Sequence, residues 1–167
     1  MSNKAISKAA TALIELCTSK GFKIATAESC TGGLVAGALT EVSGSSAVFE
    51  RGYVTYSNDA KQEMLGVAFA TVNKFGAVSR ETAIAMARGA LRAAHADLVV
   101  AITGVAGPGG GSAGKPVGLV HFAAATSTGK GKLVHVEMRY GKIGRKKVRE
   151  KSVLQALAML KEMTGKR

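Results

Sequence analysis

The stretch Phe22-Lys-Ile-Ala-Thr-Ala-Glu-Ser-Cys-Thr-Gly-Gly33 passes from a short apolar segment into a pair of glycines. Phe22–Ala27 is typical of a buried strand, and Leu34–Val42 resumes helical spacing, so the stretch predicts a strand, a tight turn and a helix. The two glycines let the backbone turn sharply and leave room for a ligand to approach. This strand, turn and helix form a unit typical of α/β folds.

The rest of the chain continues the alternation of helices and strands. Apolar spacing and turn residues predict helices over about 4–20, 34–42, a short stretch around Lys61, 80–95 and 145–163, and strands over 22–27, 48–57, 97–103, 117–126 and 132–140. Interleaved elements predict an α/β sandwich, and a hairpin at Ser127–Gly131 predicts a mixed sheet. Because neither repeat nor linker interrupts the pattern, residues 1–167 are expected to form a single domain.

The charge of the chain favours anionic partners. Its 23 Lys and Arg residues outnumber 11 Asp and Glu residues, which gives a net charge of +12. Phosphorylated metabolites, nucleic acids and acidic membranes all fit this balance. No apolar run reaches the roughly 18–20 residues that cross a bilayer, so no membrane partner is expected. Cys17 and Cys30 give no disulfide framework, and with no signal peptide a cytoplasmic location is expected.

The turn around Ser29 is the first candidate site. Amide groups at the start of the following helix favour negative charge, and a serine there could present its hydroxyl beside ready-made oxyanion donors. The alternative is a serine that caps the helix in an ordinary strand-to-helix turn. The surrounding residues are not a Gly-x-Ser-x-Gly elbow, so that family of hydrolases gains no support.

The segment Tyr53-Val-Thr-Tyr56-Ser-Asn-Asp-Ala-Lys61 is the second candidate. Lys61 falls in the first turn of a helix that Ser57 or Asn58 can cap, where the helix dipole and any burial disfavour the ammonium form. A lysine in that state can remove the proton of a serine hydroxyl. Alone, however, a helical lysine is usually a solvated surface residue.

The glycine-rich segment Gly104–Gly118 is the third candidate. Gly109–Lys115 has the spacing of a phosphate-binding P-loop, but Pro116 stands where a Ser or Thr must bind magnesium, and a strand follows in place of a helix. The segment therefore predicts either a close backbone approach to a polar ligand or a flexible surface loop.

A basic run from Lys130 to Lys151 is the fourth candidate. Its cations crowd the start of the last helix, which suggests an anionic ligand, although a solvated basic face explains them equally well. Aromatic residues for base stacking are lacking, so nucleic acid is an unlikely partner. The three histidines show no metal-binding spacing, and no metal or cofactor is expected.

Together these segments resemble the C-terminal domain of the competence/damage-inducible CinA proteins. The matching phrases are Thr26-Ala-Glu-Ser-Cys-Thr-Gly-Gly33, Gly44-Ser-Ser46, Gly52-Tyr-Val-Thr-Tyr-Ser-Asn58, Lys61, Gly76-Ala-Val-Ser79, Gly104-Val-Ala-Gly-Pro-Gly-Gly110 and Lys115-Pro-Val-Gly118. The resemblance implies a three-layer α/β/α sandwich that is commonly a homo-oligomer. It also implies an amidohydrolase that converts nicotinamide mononucleotide, a phosphorylated nucleotide, to nicotinate mononucleotide and ammonia.

The resemblance also assigns roles to residues. Ser29 resembles the nucleophile, Lys61 the base that activates it, and Tyr56 a hydroxyl that supports the pair. The residues assigned to the substrate are Glu28, Cys30, Thr31, Gly32, Gly33, Thr103, Gly104 and Arg145. Two departures from the family pattern, Gly109 and Gly144 in place of aspartates, keep open a non-catalytic nucleotide-binding or competence-related module.

Overall fold

The computed structural model describes residues 3–165, and its centre is a five-stranded mixed sheet. The strands are β1 (Ile24–Glu28), β2 (Phe49–Val54), β3 (Leu98–Gly104), β4 (Leu119–Thr126) and β5 (Lys132–Arg139). They lie in the order β2-β1-β3-β4-β5. The strand β1 pairs in parallel with β2 and β3, whereas β3, β4 and β5 pair antiparallel. The predicted mixed sheet is therefore confirmed.

Helices cover both faces of the sheet. They are α1 (Lys4–Lys20), α2 (Leu34–Thr40), α3 (Asn58–Leu65), α4 (Phe69–Phe75), α5 (Arg80–Ala93) and α6 (Arg145–Gly165), with a 3-10 turn at Ser45–Ala47. Residues of α1, α2 and α6 form one apolar core with the sheet, and residues of α5 form a second core on the opposite face. This arrangement confirms the three-layer α/β/α sandwich. Within residues 3–165, no helix is both long and apolar enough to span a membrane.

The central strand β3 shows how one sequence builds two cores. Successive side chains of a strand point to opposite faces. Leu98, Val100 and Ile102 lie in the core beneath α6, while Val99 and Ala101 lie in the core beneath α5. Both sets are fully buried, which explains why the segment is continuously apolar and does not alternate.

Local signals located most helix ends correctly. Ser57 caps α3 by accepting from the Ala60 amide, and Ser79 caps α5 by accepting from the Thr82 amide. The helix α4 was missed, because it spans only seven residues and its N-cap residue, Ala68, forms no side-chain cap. Three predicted strands extended two or more residues too far at one end, since β1 begins at Ile24, β2 ends at Val54 and β4 begins at Leu119.

The sheet brings three distant segments to one edge. The strands β1, β2 and β3 are parallel, and Glu28 lies in register with both Val54 and Ile102. Their carboxyl ends therefore meet at the same edge, where parallel sheets commonly bind ligands. Ser29, Thr55 and Thr103 stand at or just beyond these ends.

Candidate active site

The buried carboxylate of Glu28 shapes the turn that carries Ser29. Its Oε2 accepts from the amides of Gly33 and Val35, both at 3.1 Å, and its Oε1 accepts from the Ala36 amide at 2.9 Å. The N-cap residue of α2 is Gly33, which has no side chain to do this. Glu28 thus satisfies the start of α2 from the preceding strand, and the reading of Ser29 as an ordinary helix cap was wrong.

Ser29 and Lys61 meet across the sheet edge. Lys61 Nζ lies 3.1 Å from Ser29 Oγ, although the two residues are 32 positions apart. The same nitrogen lies 2.9 Å from the Thr55 carbonyl oxygen and 3.4 Å from that of Tyr56. The Lys61 side chain is 1% exposed, so the expectation of a solvated surface lysine was wrong.

Burial disfavours the charged form of Lys61. It lowers the pKa of the ammonium, and a negative charge on Cys30 would oppose that shift. That charge is absent near neutral pH, because burial raises the pKa of the Cys30 thiol to about 12. Among residues 3–165 no carboxylate pairs with Lys61. A neutral amine has a lone pair that can accept the Ser29 proton.

A cavity of 210 Å³ opens onto this pair. Its lining residues are Ser29, Cys30, Tyr56, Asn58, Lys61, Ala77, Val78, Thr103, Gly104, Ala106 and Arg145. A larger cavity of 740 Å³ lies between α2 and α6, but neither Ser29 nor Lys61 lines it. Of these two cavities, the smaller one is therefore the candidate site, because Ser29 and Lys61 line it. Arg145 lines both cavities.

Only part of the serine turn can bind an oxyanion. The Gly32 amide donates to the Ser29 carbonyl oxygen at 3.0 Å, and the Gly33 amide donates to Glu28. Within the described residues, the amides of Cys30 and Thr31 have no acceptor. Buried amides without a partner are rare in proteins. Of the amides expected to act as oxyanion donors, those of Cys30 and Thr31 are therefore the ones left free.

Tyr56 approaches Lys61 through its carbonyl oxygen, whereas its hydroxyl contacts Arg145. Its side chain is 61% exposed, and its hydroxyl accepts from Arg145 Nη2 at 3.2 Å. Within residues 3–165 this hydroxyl makes no hydrogen bond to Ser29 or Lys61, and only the Tyr56 carbonyl faces the amine. Arg145 also donates to the Gly107 carbonyl oxygen at 3.1 Å, which ties the glycine-rich loop to α6.

The end of β3 forms the floor of the cavity. Thr103 is 1% exposed, and its hydroxyl donates to the Ala77 carbonyl oxygen at 2.7 Å. A Cβ atom on Gly104 would lie 2.7 Å from a methyl group of Val120, so glycine is required there. At Gly109 a side chain would meet open space, so the departure from the family pattern at this position leaves the internal packing unchanged.

Arg149 makes a contact that the sequence pattern did not predict. Its Nε donates to the Cys30 carbonyl oxygen and its Nη2 to that of Thr31, both at 3.1 Å. The sequence shows Arg149 only as one cation of the basic run from Lys130 to Lys151. Its position four residues after Arg145, on the same helix face, was the available signal. Internal carbonyl partners thus account for two of the cations at the start of α6.

No metal site emerges from the described residues. Within residues 3–165, no group of three or more His, Cys, Asp or Glu side chains is arranged to hold an ion. Two histidines do meet: His121 Nδ1 lies 3.0 Å from His135 Nε2, on the face of the sheet that α5 covers. Burial lowers the pKa of both rings.

Comparison with known proteins agrees with this architecture. The profile of the CinA C-terminal domain matches residues 6–164. The chain belongs to the CinA C-terminal domain family. Its structure resembles that of the competence/damage inducible protein CihA from Agrobacterium tumefaciens, with a TM-score of 0.94 and 55% identity over 97% of this chain and 98% of that one.

Relatives of this chain carry the name nicotinamide-nucleotide amidohydrolase PncC. The protein from Escherichia coli K12 is 57% identical over 112 residues, which cover 67% of this chain and 68% of the relative. The protein from Enterobacter agglomerans is 49% identical over 130 residues, which cover 78% and 79% of the two chains. Both alignments span most of each protein.

Proposed function

We propose that this protein is a nicotinamide-nucleotide amidohydrolase, which converts nicotinamide mononucleotide to nicotinate mononucleotide and ammonia. The observation that carries the proposal is the 3.1 Å approach of Lys61 Nζ to Ser29 Oγ beside a cavity. The names of the relatives from Escherichia coli and Enterobacter agglomerans support the choice of substrate. A family match over residues 6–164 supports the proposal that one domain does this work.

In the first half of the reaction Ser29 is acylated. Lys61 Nζ takes the hydroxyl proton while Ser29 Oγ forms a bond to the amide carbon. The charge that develops on the substrate oxygen is stabilised by the amides of Cys30 and Thr31. The tetrahedral intermediate then collapses, the carbon–nitrogen bond breaks, and the Lys61 ammonium returns its proton to the departing nitrogen, which leaves as ammonia.

In the second half the acyl-enzyme is hydrolysed. Water enters the position that ammonia has left, and Lys61 takes its proton as the oxygen attacks the ester carbon. The bond to Ser29 Oγ breaks, and that oxygen recovers the proton from Lys61. The product is a carboxylic acid, and the enzyme returns to its starting state. One base thus acts four times, in two proton removals and two proton deliveries.

The phosphate of the substrate is assigned to the start of α6. Arg145 lines the 210 Å³ cavity and also the 740 Å³ cavity beside it, so a ligand longer than the reacting amide can extend past its guanidinium. Arginine binds phosphate oxygens in a bidentate geometry, and the helix start adds a favourable dipole. Glu28, Gly32 and Gly33 shape the turn, while Thr103 and Gly104 line the cavity at the end of β3.

The test is ammonia release from nicotinamide mononucleotide by the purified protein. Wild type is expected to turn over, while Ser29→Ala and Lys61→Met are expected to lose activity by about a thousandfold or more. Binding of the nucleotide without any ammonia release by wild type would favour the non-catalytic module instead. The homo-oligomer and the cytoplasmic location stay predictions.

A further inference from the structure

Arg149 makes a forked contact with the backbone of the serine turn. Its Nε and Nη2 donate to two consecutive carbonyl oxygens, those of Cys30 and Thr31, at 3.1 Å each. The side chain reaches the turn from α6, and the residue is only partly exposed. Within residues 3–165 no carboxylate forms an ion pair with Arg149, so its charge is directed at these carbonyl groups.

The Cys30 carbonyl and the Thr31 amide belong to one peptide group. That group is planar, and its N–H points away from its C=O. A cation at the oxygen fixes the plane of the peptide and withdraws electron density, which makes the N–H a stronger donor. The Thr31 amide is one of the two amides in the turn that lack an acceptor among the described residues.

The second arm of the fork acts on the neighbouring peptide group. The Thr31 carbonyl shares its peptide with the Gly32 amide, which donates to the Ser29 carbonyl oxygen at 3.0 Å. The two arms thus fix two consecutive peptide planes, Cys30–Thr31 and Thr31–Gly32, which begin one residue after Ser29. Gly32 has a φ of 58°, and a Cβ atom placed on it would lie 3.4 Å from Arg149 Nη2, so the guanidinium packs beside the turn.

We propose that Arg149 is a positioning residue for the oxyanion site: it holds the backbone of the serine turn so that the free amides of Cys30 and Thr31 bind the charged oxygen of the transition state. The proposal rests on the amidohydrolase function above. It separates Arg149 from Arg145, since Arg145 lines the catalytic cavity and Arg149 does not. Arg149 acts on the reaction through the backbone.

Steady-state kinetics with nicotinamide mononucleotide test the proposal. Arg149→Ala is expected to lower kcat by about tenfold to a hundredfold while KM changes little, because an oxyanion donor acts mainly in the transition state. Arg149→Lys keeps the charge but cannot donate to both carbonyl oxygens in the same way. Its kcat is expected to lie between those of wild type and Arg149→Ala. Lys151→Ala removes an exposed charge two residues further along α6 and is expected to match wild type.

Chemical rescue separates positioning from a purely structural role. Added guanidinium ion at low concentration is expected to restore part of the kcat of Arg149→Ala and to leave Lys151→Ala unchanged. Circular dichroism first establishes that each variant is folded. A wild-type kcat in Arg149→Ala, or a rise in KM with kcat unchanged, would overturn the proposal, the latter by making Arg149 a substrate contact.

Covalent labelling tests the same inference without the substrate. A fluorophosphonate that reacts with Ser29 places its phosphoryl oxygen in the oxyanion site, so Arg149→Ala is expected to label at least about tenfold more slowly than Lys151→Ala. Equal labelling rates refute the inference. If wild type is labelled at Ser29 but releases no ammonia, the proposed substrate is wrong while the role of Arg149 is still measured. If wild type is neither labelled at Ser29 nor able to release ammonia, both the proposed function and the role of Arg149 are refuted.

Discussion

Replacing Glu28 by glutamine should show how much the serine turn depends on one carboxylate. Both oxygens of Glu28 accept hydrogen bonds, from the amides of Gly33, Val35 and Ala36, and the side chain is fully buried. A glutamine has one acceptor oxygen and one donor nitrogen. Its best orientation keeps the oxygen toward the first two amides and turns the nitrogen toward the Ala36 amide, where two donors then face each other.

The expected loss of stability is about 3 kcal/mol. A hydrogen bond to a charged group contributes about 1.5–3 kcal/mol, and in the variant the Ala36 amide loses its acceptor. A carboxylate at a helix start contributes about 0.3–1 kcal/mol more through the dipole, and up to about 2 kcal/mol when partly buried. For a chain of this size the midpoint of thermal unfolding should fall by about 6–12 °C.

Thermal and urea unfolding, followed by circular dichroism, measure this loss. Glu15→Gln changes an exposed carboxylate on α1 in the same way and should stay within about 0.5 kcal/mol of wild type. Ammonia release should also fall in Glu28→Gln, since Ser29 stands on the loosened turn. If the two variants proved equally stable, the three hydrogen bonds would not hold α2 as argued.

Further predictions concern the base, the neighbouring thiol and the packing beneath α3. With Lys61 as base, kcat/KM should rise with pH until the ammonium, whose pKa burial lowers from 10.5, is deprotonated; a profile flat across the neutral and alkaline range would argue against it. Between the lowered pKa of folded Lys61 and 10.5, the unfolded chain binds a proton on Lys61 that the folded chain does not. The free energy of unfolding of wild type, measured by urea titration, should therefore rise with pH in this range relative to that of Lys61→Met. Cys30→Ala should keep kcat within a few-fold, since a thiol with a pKa of about 12 is no nucleophile, and iodoacetamide should not inactivate wild type near neutral pH. Gly89→Ala should cost about 1–3 kcal/mol, because its Cβ would overlap the Leu65 carbonyl, whereas Gly37→Ala, with open space around its Cβ, should gain up to about 1 kcal/mol.

Local signals predicted the elements that carry the site. The turn after β1 and the caps at Ser57 and Ser79 depend on residues a few positions apart, so the sequence displays them directly. Fold class followed from the alternation of these elements. The helix α4 lacked both length and a capping side chain, and nothing in its composition replaced them.

The meeting of Ser29 and Lys61 could not be derived from spacing. Their contact depends on β1 and β2 lying parallel, and only the resemblance to a family indicated it. The engagement of the Gly33 amide by Glu28 and the contact of Arg149 with Cys30 are likewise tertiary. Sequence pattern shows which residue types are present in a turn, but not which of its amides are already occupied.

The most direct test of the Ser29–Lys61 chemistry is a peptide mass map of the enzyme quenched with acid during turnover of nicotinamide mononucleotide. The reaction described here predicts an acyl adduct on Ser29, at the mass of nicotinate mononucleotide less water. An adduct on Cys30, or steady ammonia release with no acylated residue and undiminished activity in Ser29→Ala, would contradict it.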